Sequence, residues 1–277
     1  MPELPEVDIT RRDRADAIDG RRFVDVQVAH PRTVRHNGGD PAVVEGRLVG
    51  RKVLAVNRHG KFLVVPLDDG MTMVAHLGMS GRFAFGQTPE PEPHTHFEAR
   101  LDDGSTVRFV DPRTFGFIAV FDDEELGQSG LSRLGPDAWE TPPTVDALMS
   151  SLEGRTASIK ALLLDQRPIA GLGNIYADEA LHLARIDPRA PGGDLSGPEV
   201  EGLLQAIRLV LSGAIDAGGT SLDDLAYLLP DGRAGENLER LQVYGRAGEL
   251  CFRCGEIIDR VVIRARSTHF CPGCQVG

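Results

Sequence analysis

Residues 23–28, Phe23-Val24-Asp25-Val26-Gln27-Val28, set apolar and polar side chains in alternation. Successive side chains of an extended chain point to opposite faces, so this pattern encodes a strand with one face in a core and the other in water. Similar runs follow at Lys52-Val53-Leu54-Ala55-Val56 and Lys61-Phe62-Leu63-Val64-Val65, then at residues 71–76, 97–101, 106–110 and 116–121. Asp68-Asp69-Gly70 and Asp102-Asp103-Gly104 supply turns between them. Short strands at this spacing predict an antiparallel sandwich or barrel. A helix over residues 5–18, stopped by Gly20, precedes the strands. Residues 87–93, with three prolines, read as a stiff extended loop.

From about Leu134 the pattern changes. Residues 136–143 read as a linker and helices follow. The clearest covers residues 198–217, with Val200, Leu203, Leu204, Ile207, Leu211 and Ile215 on one stripe and Gly218-Gly219 as the stop. That stripe reads as core packing. The chain is therefore α+β, a β-sandwich with an N-terminal helix followed by a helical region and a short appendage. The expected divisions are 1–133, a linker at 134–147, then 148–244 and 245–277.

The appendage has its own signature. Cys251-Phe252-Arg253-Cys254, sixteen residues, then Cys271-Pro272-Gly273-Cys274 brings two paired knuckles together. Four thiolates at this spacing reach one tetrahedral Zn²⁺, and a closed four-cysteine shell is structural rather than catalytic. A disulfide pair is the alternative, which a reducing compartment disfavours. Between the knuckles, residues 257–266 and 267–270 read as a β-hairpin that turns Arg260, Arg264 and Arg266 towards a polyanion.

With 277 residues, the chain can bury a sizeable core. No apolar run has membrane-spanning length and no secretory signal is evident, which places the expected site of action in the cytoplasm, away from membranes. The formal charge of −11 argues against a wholly basic surface. Charge is segregated, however. Residues 245–277 hold five arginines against three acids, and residues 222–239 five acids against one arginine. Binding depends on such local patches. Only Lys52, Lys61 and Lys160 are lysines among 30 basic residues. A lysine amine can be tuned to move protons, whereas an arginine stays charged.

The chain begins Met1-Pro2-Glu3-Leu4-Pro5-Glu6-Val7. Removal of Met1 leaves a secondary amine at Pro2 beside a carboxylate. An α-amino group titrates near pH 8, so much of it is a free nucleophile at neutral pH. Such an amine forms a Schiff base with an electrophilic carbon when an acid handles the protons, a role open to Glu3 or Glu6. The other reading is an ordinary helix start, with Pro5 in the first turn and Glu6 and Asp8 facing the helix dipole. Residues alone leave both readings standing.

Taken together and in order, these segments resemble the formamidopyrimidine-DNA glycosylase / endonuclease VIII family. The resemblance runs end to end. It includes Met1–Val7, Arg58-His59-Gly60-Lys61, His76-Leu77-Gly78-Met79-Ser80-Gly81 and Asp111-Pro112-Arg113-Thr114-Phe115-Gly116. It continues through Ser158-Ile159-Lys160, Gly171-Leu172-Gly173-Asn174-Ile175-Tyr176, Leu241-Gln242-Val243-Tyr244-Gly245-Arg246 and the four-cysteine segment.

The resemblance implies a bifunctional glycosylase and abasic-site lyase acting as a monomer on damaged double-stranded DNA, with one structural Zn²⁺ at Cys251, Cys254, Cys271 and Cys274. Its regions would be a catalytic sandwich, a helix–two-turns–helix DNA-binding domain and a zinc finger. Pro2 would attack C1′ and Glu3 would act as general acid. Lys61 would transfer protons for β-elimination, Arg266 would grip phosphate and assist δ-elimination, and Glu6 would support the pocket. The base must leave the stack before its sugar can be reached. Met79, Arg113 and Phe115 would fill the resulting hole, and inserted apolar side chains do kink DNA in this way. Their Gly-flanked loops favour exposure over core packing. His94, Arg155, Lys160, Asn174 and Arg266 would hold phosphates, whereas His76 and His96 are expected to be structural, or to support other site residues, rather than catalytic.

The Met1–Glu6 segment points to oxidised purines, 8-oxoguanine and formamidopyrimidines. The alternatives are oxidised pyrimidines, or a catalytically silent homologue that only binds damaged DNA. Three features depart from the family pattern. Thr114 stands where a second arginine is usual. Residues 220–240 read Arg233-Ala234-Gly235-Glu236-Asn237-Leu238 where a Gly-Tyr-Phe element is common. The acidic balance predicts weak non-specific DNA binding that falls steeply with salt.

Overall fold

The computed structural model describes residues 2–86, 90–221, 227 and 233–276. The chain divides into two compact units. One comprises Met1–Ser132 with Ala217–Glu236, the other Arg133–Asp216 with Asn237–Gly277. The described residues 217–221, 227 and 233–236, expected within 148–244, group with the N-terminal unit.

The first unit opens with helix α1 (Leu4–Ile18), followed by strand β1 (Phe23–Val28) and helix α2 (Pro41–Leu48). Strands β2 (Asn57–His59), β3 (Phe62–Pro66), β4 (Thr72–His76) and β5 (Arg82–Gly86) come next. After them come β6 (Thr95–Leu101), β7 (Thr106–Val110), β8 (Phe117–Phe121) and helix α3 (Asp123–Gln128). They form two four-stranded antiparallel sheets, ordered β1-β6-β7-β5 and β2-β3-β4-β8. Val26, Phe97, Phe109 and Phe83 from the first sheet meet Leu63, Met73, Ala75 and Ile118 from the second in one buried cluster, which Val7 and Ile18 of α1 and Val44 and Leu48 of α2 close. The sandwich is as expected.

Strands β4 and β8 are buried on both faces, because Val74, Ala119 and Phe121 form a second cluster with Leu126 of α3 and Leu131. One expected strand is corrected. Residues 52–56 make only isolated bridges, Arg22 with Lys52 and Val53 with Leu67, so they pass along a sheet edge. Residues 87–89 of the proline-rich loop lie outside the described residues.

The second unit carries α4 (Val145–Leu152), α5 (Ile159–Leu163), α6 (Asn174–Ala184) and α7 (Gly197–Asp216), then strands β9 (Asp259–Ile263) and β10 (Arg266–Phe270). Helix α7 buries Val200, Leu203, Ala206, Ile207, Leu211 and Ala214. Two alanines therefore complete the stripe, and Leu204 and Ile215 are only half-buried. The expected linker at 136–143 is tied down. Ala138 N–H donates to the Ala170 carbonyl at 2.9 Å and Ala170 N–H to the Pro136 carbonyl at 2.8 Å.

Candidate functional site

Helix α1 starts at Leu4 because Glu3 and Glu6 form a capping box, with Pro5 in the first turn where no N–H is needed. Glu3 N–H donates to Glu6 Oε2 at 2.7 Å. The other oxygen, Oε1, accepts from Thr220 N–H at 2.9 Å. One buried carboxylate therefore holds the chain start and the residue 220 strap. Glu3 and Glu6 are each 1% exposed, and Pro2 is buried. A helix start and a reactive terminus are thus compatible: the capping box holds the backbone that directly follows Pro2. Met1, and residues 222–226 and 228–232 of the 220–240 segment, lie outside the described residues.

Lys61 sits in the two-residue turn between β2 and β3, where His59 pairs with Phe62. Gly60 takes φ 56°, the left-handed conformation that the first position of such a tight hairpin demands. Lys61 is 8% exposed. Behind it, Arg58 donates to the Gly60 carbonyl at 3.1 Å and pairs with Asp8 of α1.

The loops of Met79 and Phe115 are in backbone contact. A Cβ on Gly78 would lie 2.3 Å from the Gly116 nitrogen, so only glycine permits the approach. Asp111, 1% exposed, joins them with both carboxylate oxygens. Oδ1 accepts from the Ser80 hydroxyl at 2.7 Å and from Arg113 N–H at 3.3 Å, and Oδ2 from Gly116 N–H at 2.7 Å. Arg35 adds bonds to the Phe115 and Gly116 carbonyls at 2.9 and 2.6 Å. Phe115 is 40% exposed and both Arg113 and Arg32 lie over its ring, while Met79 is half-buried.

Thr114 takes φ 54°, unusual for a β-branched residue and a sign of a constrained loop. His94 is exposed at φ 67°, and its carbonyl accepts from Asp111 N–H. His76 is structural in placement, its Nδ1 accepting from Gly78 N–H at 2.9 Å and its ring stacked on Phe117. His96 contacts the Asp111 carbonyl at 3.0 Å.

In the second unit, the Gly171–Asn174 turn is braced by Gln166, whose side chain accepts from Gly171 N–H at 2.9 Å and donates to the Leu172 carbonyl at 2.7 Å. Asn174 begins α6 and spends its amide on the Ser267 carbonyl at 2.9 Å. Lys160, expected at a phosphate, has partners within the fold. It is 0% exposed, ion-paired with Asp178 at 2.6 Å, and donates to the Ser267 carbonyl at 3.0 Å and the Thr268 hydroxyl at 2.8 Å. Its ammonium holds the β9–β10 hairpin onto α6. Asp178 also accepts from His269 N–H at 2.9 Å.

Arg155 and Arg266 are exposed. The hairpin turns at Arg264-Ala265, not after Arg266, and both turn residues take positive φ, 49° and 58°. Two non-glycine residues in such a turn are strained.

The four cysteines form no disulfide, and their Sγ atoms all lie within 4.8 Å of one another. Cys251–Cys274 and Cys254–Cys271 are 3.9 and 3.4 Å apart. A tetrahedron of sulfurs about 2.3 Å from Zn²⁺ has edges of about 3.8 Å, so the donor set fits one such ion. The sequence carries no sign of Arg35 or Gln166, and it shows Asp111 only as part of a motif with no role of its own. Each acts on backbone groups that only the folded chain brings near.

Comparison with known proteins agrees with this geometry. Residues 1–118 match the formamidopyrimidine-DNA glycosylase N-terminal domain, 134–225 the formamidopyrimidine-DNA glycosylase H2TH domain, and 248–276 the zinc finger found in FPG and IleRS. Formamidopyrimidine-DNA glycosylase of Acidothermus cellulolyticus is 42% identical over 99% of this chain and 97% of its own length. That of Corynebacterium jeikeium is 40% identical over 99% and 100%. The crystal structure of the MutM (Fpg) protein from Thermus thermophilus superposes with a TM-score of 0.87 at 40% identity, covering 99% of this chain and 98% of that one. The Lactococcus lactis Fpg in complex with DNA containing an abasic site gives 0.89 at 31% identity, with 100% of both chains covered. Among the described residues no helix is long and apolar enough to cross a membrane. The chain belongs to the formamidopyrimidine-DNA glycosylase family.

Proposed function

We propose that this chain is a bifunctional DNA glycosylase and abasic-site lyase of base-excision repair that removes oxidised purines from duplex DNA, working as a monomer in the cytoplasm. The observation that carries the reading is the clamp of Glu6 on the Glu3 and Thr220 amides, which fixes the backbone beneath a proline terminus.

In this reading the Pro2 nitrogen, freed of Met1, attacks C1′ of the flipped nucleotide. The C1′–N bond to the base breaks as the C1′–N bond to proline forms, and the base leaves with a proton. Glu3 protonates the ring oxygen as the sugar opens to the Schiff base. Lys61 takes part in the proton transfers of β-elimination, which expels the 3′-phosphate, and Arg266 grips phosphate and assists the second elimination. Met79, Arg113 and Phe115 enter the gap left by the base. His94, Arg155, Arg266 and the α6 turn at Asn174 hold the backbone, the last by the amides of a helix start. Cys251, Cys254, Cys271 and Cys274 would hold the ion in a closed four-thiolate shell, and its contribution would be structural, stiffening the hairpin that carries Arg266.

The test is strand cleavage on single-lesion duplexes. Faster cleavage at 8-oxoguanine or formamidopyrimidine than at an oxidised pyrimidine supports the reading. The reverse order indicates pyrimidine specificity, and binding without cleavage of any duplex indicates a silent homologue.

A further inference from the structure

His182 lies in the last turn of α6 and is 2% exposed. Its Nε2 is 3.6 Å from Cys251 Sγ. Arg253, between the cysteines of the first knuckle, donates to the His182 carbonyl at 3.1 Å. The knuckle thus grasps one residue twice, at its ring and at its backbone, and the guanidinium caps a carbonyl at the helix C-terminus.

A neutral imidazole carries its hydrogen on one nitrogen only. Nδ1 is buried and, among the described residues, has no hydrogen-bond partner. A hydrogen there would orphan a buried N–H and turn the Nε2 lone pair towards the lone pairs of sulfur. A hydrogen on Nε2 points at Sγ instead and leaves Nδ1 as an unfilled acceptor, which is tolerated more easily than an orphaned N–H donor.

We infer that His182 donates its Nε2–H to the Cys251 thiolate and is a positioning residue of the zinc centre, one that fastens α6 to the metal shell. Four thiolates around a divalent cation carry a net negative charge. An N–H aimed at one sulfur spreads that charge and fixes the sulfur's direction, as partners outside a metal's ligand shell commonly do. The donor comes from the helix that begins at Asn174, so the zinc finger and the phosphate-facing turn at Gly171–Asn174 share one rigid element.

Two measurements test this on the zinc-loaded full-length protein. Nitrogen-15 NMR of labelled histidines reads the His182 tautomer. Protonated Nε2 with bare Nδ1 is expected, and the opposite tautomer overturns the inference. Zinc transfer to a colorimetric chelator is then followed for wild type, His182→Phe and His182→Gln. Loss of the donor in the Phe variant should speed release about 10- to 100-fold. The Gln variant keeps an amide N–H and should stay within about threefold of wild type. Equal rates for wild type and the Phe variant, or equal acceleration in both variants, overturn it. Neither readout depends on glycosylase activity.

Discussion

Asp8 and Arg58 form an ion pair in which neither side chain has exposed surface, with Nε 3.3 Å from Oδ1. Asp8 belongs to the helix that begins at the Glu3 cap, and Arg58 also holds the carbonyl of Gly60, the residue before Lys61. One buried pair therefore ties the acid-bearing chain start to the lysine-bearing turn. Replacing Arg58 by Met leaves Asp8 to Arg11 at 2.9 Å and Arg12 at 2.6 Å but strips the Gly60 carbonyl and one carboxylate oxygen of a buried donor, and the N-terminal unit should lose about 1–3 kcal/mol. Asp8→Leu combined with Arg58→Met removes the buried charge altogether and should recover part of that loss, because Arg11 and Arg12, left without the carboxylate, are partly open to solvent. Urea unfolding of the single and double variants measures both, and a single variant as stable as wild type contradicts the linkage.

Lys160 separates two accounts of one residue. A phosphate-binding lysine would leave stability unchanged on mutation and lower the salt slope of DNA binding by about one. The buried pair with Asp178 predicts instead that Lys160→Met destabilises the C-terminal unit by about 3–5 kcal/mol. Unfolding curves alongside DNA affinity at several salt concentrations distinguish the two.

Burial, and next the Lys61 ammonium, push the His76 imidazole down to about 4. The unfolded chain titrates near 6.5, so as pH falls from about 6.5 to about 4 the unfolded state takes up a proton that the folded state refuses. Stability should therefore fall across that window, by about 3 kcal/mol at most, and gain no further contribution from this group below it. His76→Gln should flatten the dependence. Denaturation midpoints between pH 4 and 7 check this, and an unchanged slope in the variant removes His76 as the cause.

Cys251→Ser should lose metal and DNA binding while the β-sandwich, whose core shares no residue with the zinc site, stays folded. Elemental analysis and circular dichroism report the two halves of that statement. Unchanged zinc content contradicts the ligand assignment.

The zinc centre was legible because ligand spacing is local and chemically restrictive. Most strands were legible because a half-buried sheet writes its period into the chain, as in β1. Residues 52–56 carry a similar pattern but find only isolated bridging partners, and sequence pattern does not reveal which edge is paired. Helix α2 is short, and its signal is confined to the Asp40 cap and Pro41. The buried partners of Lys160 are not legible, since nothing near it in sequence announces Asp178 or Thr268. The roles of Asp111 and Gln166 likewise depend on backbone groups brought close by folding.

Chemistry at the chain start is the central claim, and borohydride trapping on duplex DNA with an abasic site tests it most directly. Wild-type protein with Met1 removed should give a covalent adduct, and protein with an extended N-terminus or with Pro2→Gly should give little or none. No adduct from wild type, or an undiminished adduct from Pro2→Gly, would contradict a Schiff base at Pro2.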